Sequence, residues 1–295
     1  MLSIYDWFGY EMPIQERYRM IRRAGFDGVL MWWSDESGRG DYRNGPMIAR
    51  KAGLFIENIH TPFANENSLF IDNPDGSARA ECLMQCVKDC AEFDIPAMVV
   101  HLPDDDNPCT ELGLDRIKRI TEKAEKLGVN IALENLRNLT NLEYVLGQVE
   151  SPRVGFCYDC CHHHRNDPNN DLLSKYGNRL MGLHLHDNGG VYDMHSLPFD
   201  GTINWRAVMK AIAETGYFGS TALEIMNWGY ENLSAEEFVD AAFERAKRLD
   251  GLRSGFSKYA RTACAIEPDE ISKGSLGSYK KQASTETEDI INGEI

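Results

Sequence analysis

Basic residues are scarce in this 295-residue chain: 31 Lys and Arg stand against 46 Asp and Glu, a formal net charge of −15. Proteins that grip duplex nucleic acid along its phosphates normally carry a basic footprint, so that partner class is disfavoured. Long apolar runs are also missing. No stretch approaches the roughly 20 residues that cross a bilayer, and no membrane partner is expected. The amino terminus, Met1-Leu2-Ser3-Ile4-Tyr5-Asp6, has no basic segment and meets an acid at once, so no secretory signal is visible. Cysteine, at 8 residues, is too sparse for a disulfide scaffold, and a reduced, cytoplasmic protein is the expectation. A Gly-rich phosphate turn after the first apolar run is lacking, which argues against a doubly wound dinucleotide-binding sheet.

What is present is ordinary globular material, 42% hydrophobic and 26% charged. Short apolar runs alternate with amphipathic stretches. Strands are expected near 2–6, 27–32, 54–60, 97–101, 129–134, 153–159, 180–186 and 219–225. Helices are expected near 14–24, 44–52, 79–93, 111–127, 139–148, 168–177, 204–215 and 234–249. Repeated βα units over about 250 residues predict an α/β fold of the (β/α)8 TIM barrel type. Gly25, Gly128 and Gly216 each close a helix before a strand. The barrel is expected over 1–255, followed by a polar, partly disordered extension over 256–295, where Ser, Gly, Thr and Glu replace large apolar groups.

A barrel of this kind carries its site at the C-terminal strand ends. Those ends read His60-Thr61-Pro62, His101-Leu102-Pro103, Glu134-Asn135, Tyr158-Asp159 with His162 beyond, His184-Leu185-His186-Asp187, and Glu224. A single acid or imidazole on a rim is unremarkable, and His60 or His101 alone would be a hydrogen-bonded rim residue. Six such endings converging on one mouth are another matter, because unpaired buried charges are costly. A divalent ion removes that cost. Glu134, Asp159, His184 and Glu224 would place three carboxylates and an imidazole about one centre, a donor set suited to Mn2+, Mg2+ or Co2+, with further histidines shifting preference to Zn2+. Alternation puts His184 and His186 on one face, and Cys157 and Asp159 on one face. Trp7, Trp32 and Trp33 end early strands and either wall a sugar pocket or pack. Cys82, Cys86 and Cys90 form a helix stripe and read as core; His163 and His164 read as solvated loop.

Several motifs in order resemble the xylose-isomerase-like barrel superfamily, and within it the sugar phosphate isomerase/epimerase family. They are Ala24-Gly25-Phe26-Asp27-Gly28-Val29, Leu133-Glu134-Asn135, Tyr158-Asp159-x-x-His162, His184-Leu185-His186-Asp187-Asn188, and His195-Ser196-Leu197-Pro198-x-Asp200-Gly201-Thr202-Ile203-Asn204-Trp205. The resemblance implies a metal held by Glu134, Asp159, His184 and Glu224, with Glu134 and Glu224 also acting as acid and base on opposite faces of a sugar or cyclitol. His162 and His186 would orient substrate oxygens, with His60, His101 and Trp7 as further contacts. It also leaves a homodimer open. The same motifs resemble endonuclease IV, a three-zinc nuclease for abasic DNA whose ligands match His60, His101, Glu134, Asp159, His162, His184, Asp193, His195 and Glu224; that reading makes Asp193 and His195 ligands of an additional metal. The acidic chain and the Tyr5-Asp6-Trp7-Phe8 opening favour sugar chemistry. In the ketose 3-epimerases an acid and an arginine follow the seventh strand; Asp187 is the candidate acid here, and no arginine follows it.

Overall fold

The structure, a computed structural model, describes residues 1–34 and 42–264, with side chains described to residue 256. Residues 1–260 form one compact unit. Its eight strands are β1 (Leu2–Tyr5), β2 (Gly28–Trp32), β3 (Phe55–His60), β4 (Ala97–Val100), β5 (Asn130–Glu134), β6 (Val154–Asp159), β7 (Leu180–His184) and β8 (Thr221–Leu223). All pair in parallel in the order β7-β6-β5-β4-β3-β2-β1-β8. The ring closes through a parallel bridge between Leu185 and Leu223, where Leu185 N donates to Ala222 O at 3.0 Å. This is the TIM barrel expected from the sequence, and each strand lies within two residues of its expected bounds.

The helices are α1 (Ile14–Ala24), α2 (Gly45–Lys51), α3 (Pro74–Glu92), α4 (Glu111–Leu127), α5 (Leu139–Gln148), α6 (Cys160–Asn166), α7 (Leu172–Tyr176), α8 (Trp205–Glu214) and α9 (Ala235–Cys264). Four depart from expectation, one of them α7, which begins four residues later than expected (172 rather than 168), where Asp171 caps it by accepting from Ser174 N at 3.0 Å. Helix α3 begins five residues earlier than expected (residue 74 rather than 79), because Asn73 caps it by accepting from Gly76 N at 2.7 Å and Pro74 supplies the first-turn geometry. Helix α6 replaces the expected loop at His163 and His164. It is too short to show a period, and Asp159 starts it by accepting from His162 N at 2.7 Å. Helix α9 runs to Cys264, past Gly251, which costs an interior helix only about 1 kcal/mol. The polar stretch from residue 265 onward lies outside the described residues. No helix among the described residues is long and apolar enough to cross a membrane.

Inside the barrel, Val99, Ala132 and Cys157 pack as a small buried cluster with Met181 against it. Val99, Ala132 and Cys157 stand two residues before His101, Glu134 and Asp159, so this apolar layer lies one step below the polar strand ends. Cys86 and Cys90 are buried in the main core, as a packing stripe requires, and the described cysteines are all free.

One helix reaches up to hold the rim. Arg79 of α3 is buried and donates to Pro62 O and His101 O, the backbone just beyond β3 and β4. Arg79→Met should leave two buried carbonyls unpaired and cost about 2–4 kcal/mol in urea unfolding. A change below about 0.5 kcal/mol would show that solvent replaces the guanidinium there.

Candidate metal centre

Register fixes which side chains meet. Asp159 is level with His184, and Glu134 with Cys157, two residues before Asp159 on the same face of β6, so the ends of β5, β6 and β7 lie within one two-residue step of one another. Asn135 locks two of them, accepting from Asp159 N at 2.8 Å and donating to Asp159 O at 2.8 Å. Glu224, just past β8, is drawn in by the bond from its amide to Leu185 O at 3.2 Å.

The side chains converge on Glu134. His184 Nδ1 lies 3.1 Å from Glu134 Oε2 and 3.1 Å from Glu224 Oε2. His101 Nε2 is 3.1 Å, and His60 Nε2 3.5 Å, from Glu134 Oε2. His186 Nε2 sits 2.8 Å from Asp159 Oδ2. Donor atoms of Glu134, Asp159, His184 and Glu224 all lie within 4.8 Å of one another, and all four residues are buried. A second group, His186, Asp193 and His195, meets the same limit, as does a third, His60, Glu134 and His184. His162 bridges the first two: its Nδ1 is 3.3 Å from Glu134 Oε1 and its Nε2 3.1 Å from Asp193 Oδ2. The rings of His186 and His195 stack at 4.0 Å and 5°.

This donor set fits a divalent cation. Glu134 Oε1, His184 Nδ1, His186 Nδ1 and Asp193 Oδ1 are buried without a well-formed hydrogen bond. Three carboxylates share one buried neighbourhood, an arrangement that repels itself unless cations intervene. In the protein alone, protonated imidazoles supply that charge. Burial works against a charged His184, but Cys157 and the carboxylates of Glu224 and Glu134 around it hold its proton well above the ordinary imidazole range. Burial likewise opposes ionisation of Glu224, and the His184 charge outweighs it, bringing the carboxyl down to about 2. Glu134 is held well below the usual carboxylate range against burial, chiefly by His184 and His101. His101 overcomes its burial through Glu134 and rises to about 9. His60 is the exception: burial dominates and lowers it, leaving a neutral ring suited to ligation or to accepting a hydrogen bond.

Of the residues singled out in the sequence, Glu134, Asp159, His184, Glu224, His60, His101, His162, His186, Asp193 and His195 are brought together. Trp7 stands under Arg17, whose guanidinium lies 4.9 Å from the ring centre. The aromatic rings beside the cluster imidazoles include Phe63, 5.0 Å centre to centre from both His60 and His101, Trp32 and Tyr5, 5.7 and 6.4 Å from His60, and Trp228, 5.6 Å from His195. Phe63 and Trp228 carry no motif and are placed by loops, so only their position beside His60 and Glu224 could have flagged them. Glu66, whose Oε2 is 3.3 Å from His101 Nδ1, was also not singled out. Asp187 does not face the cluster: its carboxylate is fully buried among backbone amides and the Trp205 indole, so it cannot serve as a catalytic acid. His163 is turned outward onto the Tyr158 hydroxyl at 2.7 Å.

Comparison with known proteins gives one family and several distant relatives. Residues 18–249 match the family described as xylose isomerase-like TIM barrel. An uncharacterized protein of Sinorhizobium fredii is 28% identical over 261 residues, covering 73% of this chain and 83% of that protein. Fructoselysine 3-epimerase of Shigella flexneri is 28% identical over 144 residues, 46% of this chain and 51% of the epimerase, so the match spans about half of that enzyme. Among solved structures, L-ribulose 3-epimerase superposes with a TM-score of 0.69 at 15% identity, covering 92% of this chain and 99% of that one, a likeness of fold.

A cation entering this cluster must displace the His184 proton. Binding of Mn2+ or Zn2+ at neutral pH should therefore release about one proton or more per chain, read from the dependence of calorimetric enthalpy on buffer ionisation heat. Release should diminish as pH rises towards the imidazole values, because less proton remains to expel. Enthalpies independent of buffer would contradict the charge arrangement described.

Proposed function

The chain belongs to the xylose isomerase-like TIM barrel family, and on that premise we propose that it is a divalent-metal-dependent sugar or cyclitol isomerase or epimerase. The observation that carries this reading is the buried Glu134–His184–Glu224 arrangement, two carboxylates from β5 and the end of β8 meeting on one imidazole nitrogen. The ion, held by Glu134, Asp159, His184 and Glu224, would supply Lewis-acid polarisation of the substrate's oxygens. Both glutamates are ionised at neutral pH and so available as bases. One takes the proton from the carbon beside a sugar carbonyl, leaving an enediolate; the proton returned comes either from that same, now protonated, carboxyl or from water relayed through the other carboxylate, the first then losing its proton to solvent. Return to the opposite face of the same carbon is epimerisation; return to the neighbouring carbon is isomerisation. His162 and His186 would orient substrate oxygens, and the Phe63 and Trp228 rings would cover the apolar faces of a sugar. The epimerase relatives support this substrate class, at low identity.

A second reading has its own observation. The donors do not stop at one ion: His60 with Glu134, and His186 with Asp193 and His195, extend the cluster on both sides. That supply matches the three-zinc arrangement of the abasic-site nuclease. The net charge of −15 opposes it, since phosphate-backbone binding draws on Lys and Arg. We favour sugar chemistry, with His186, Asp193 and His195 as donors to an additional ion.

Incubation with ketoses, aldoses and inososes in D2O tests the proposal by NMR. The native protein should exchange a carbon-bound hydrogen for deuterium on at least one member. Glu134→Gln and Glu224→Gln should each lower that exchange about 10²–10⁴-fold while circular dichroism and Tm are retained. Incision of an abasic duplex without sugar exchange would transfer the assignment to the nuclease.

A further inference from the structure

The loop between β7 and α8 carries Asp193 and His195, and its shape is held from within. Two of its non-glycine residues, His195 and Phe199, have φ of +46° and +76°, backbone that L residues adopt only when held there. What holds it is Asp187. The carboxylate is fully buried and receives four donors: Asn188 N at 2.9 Å and Ile203 N at 3.2 Å on Oδ1, Phe199 N at 2.9 Å and Trp205 Nε1 at 2.7 Å on Oδ2. Its backbone exchanges a pair of hydrogen bonds with Ser196, at 2.8 and 3.0 Å. Gly201 completes the seat, because a Cβ there would come within 2.2 Å of Asp187 Oδ1 and 2.4 Å of Asn188 O.

We propose that Asp187 is a positioning residue that folds this loop into a rigid arm and so presents Asp193 and His195 to His186 and His162. The arm's far side is stitched to the end of β8: Met226 N donates to His195 O at 2.9 Å, and His195 Nδ1 lies 3.0 Å from Glu224 O. Asp187 thus sets the second donor group and braces the backbone of Glu224 from one buried carboxylate. A carboxylate is required because all four partners are donors; an amide would turn its own N–H groups against two of them. The inference rests on the proposed metal chemistry only for what the arm binds, not for how the arm is held.

Asp187→Asn, with Gly201→Ala as a variant that crowds the same seat without altering the acid, separates the two. Hydrogen exchange by mass spectrometry should show residues 188–203 exchanging at least about tenfold faster in both, with strands β2 to β5 unchanged. Co2+ titration, followed by visible absorption, should show the ion class assigned to His186, Asp193 and His195 weakened about 10–100-fold, with the Glu134 class retained. Asp193→Ala, the control, should lose that ion class while the arm stays protected. Arm exchange equal to wild type in Asp187→Asn, or acceleration spread evenly over the barrel, would overturn the proposal. A wild-type protein that binds Co2+ in a single class would refute the second ion, and arm exchange alone would then decide the role of Asp187.

Discussion

Like charge confined in a dry space is the constraint on which this molecule turns. Glu134, Asp159 and Glu224 are each less than a tenth exposed and share one mouth, and such carboxylates cannot coexist ionised without positive charge between them. The protein meets the need with histidines, chiefly His184 between two glutamates and His101 beside one. A divalent cation would meet it better, since it would offer two charges at a point and satisfy lone pairs that the imidazoles leave open. The barrel contributes the geometry. Parallel register brings the strand ends within one two-residue step of one another, with the apolar layer of Val99, Ala132 and Cys157 one step below.

Around this centre the structure spends buried polar groups on position. Asn135 ties β5 to β6, Arg79 ties the ends of β3 and β4, and Asp187 ties the arm after β7. Each is a polar group whose partners are mostly backbone, so each fixes the chain that carries a ligand and not the ligand itself. Second-layer contacts of this kind determine whether donors sit where an ion needs them.

Much of this was legible in the residues. Eight strands stood out because buried parallel strands are short apolar runs, and the six polar endings stood out because such runs rarely stop on His, Glu or Asp in succession. Other features had no local signal. Helix α6 is seven residues of Cys, His, Arg and Asn with no apolar period, and it exists because Asp159 caps it. Asp187 sits between two histidines and an asparagine in a motif that looks catalytic; only the path of the chain from 188 to 205 shows its carboxylate enclosed by amides. Phe63 and Trp228 reach the cluster from loops, where side-chain direction follows tertiary packing and no period exists to read.

Everything about this site depends on whether one cation occupies the space between four side chains. Anomalous diffraction at the metal edge from crystals of the Co2+-loaded protein tests this most directly. The expected result is a peak bonded at about 2.0–2.2 Å by Glu134, Asp159, His184 and Glu224. A map with no peak there, or with cobalt only at surface carboxylates, would contradict it.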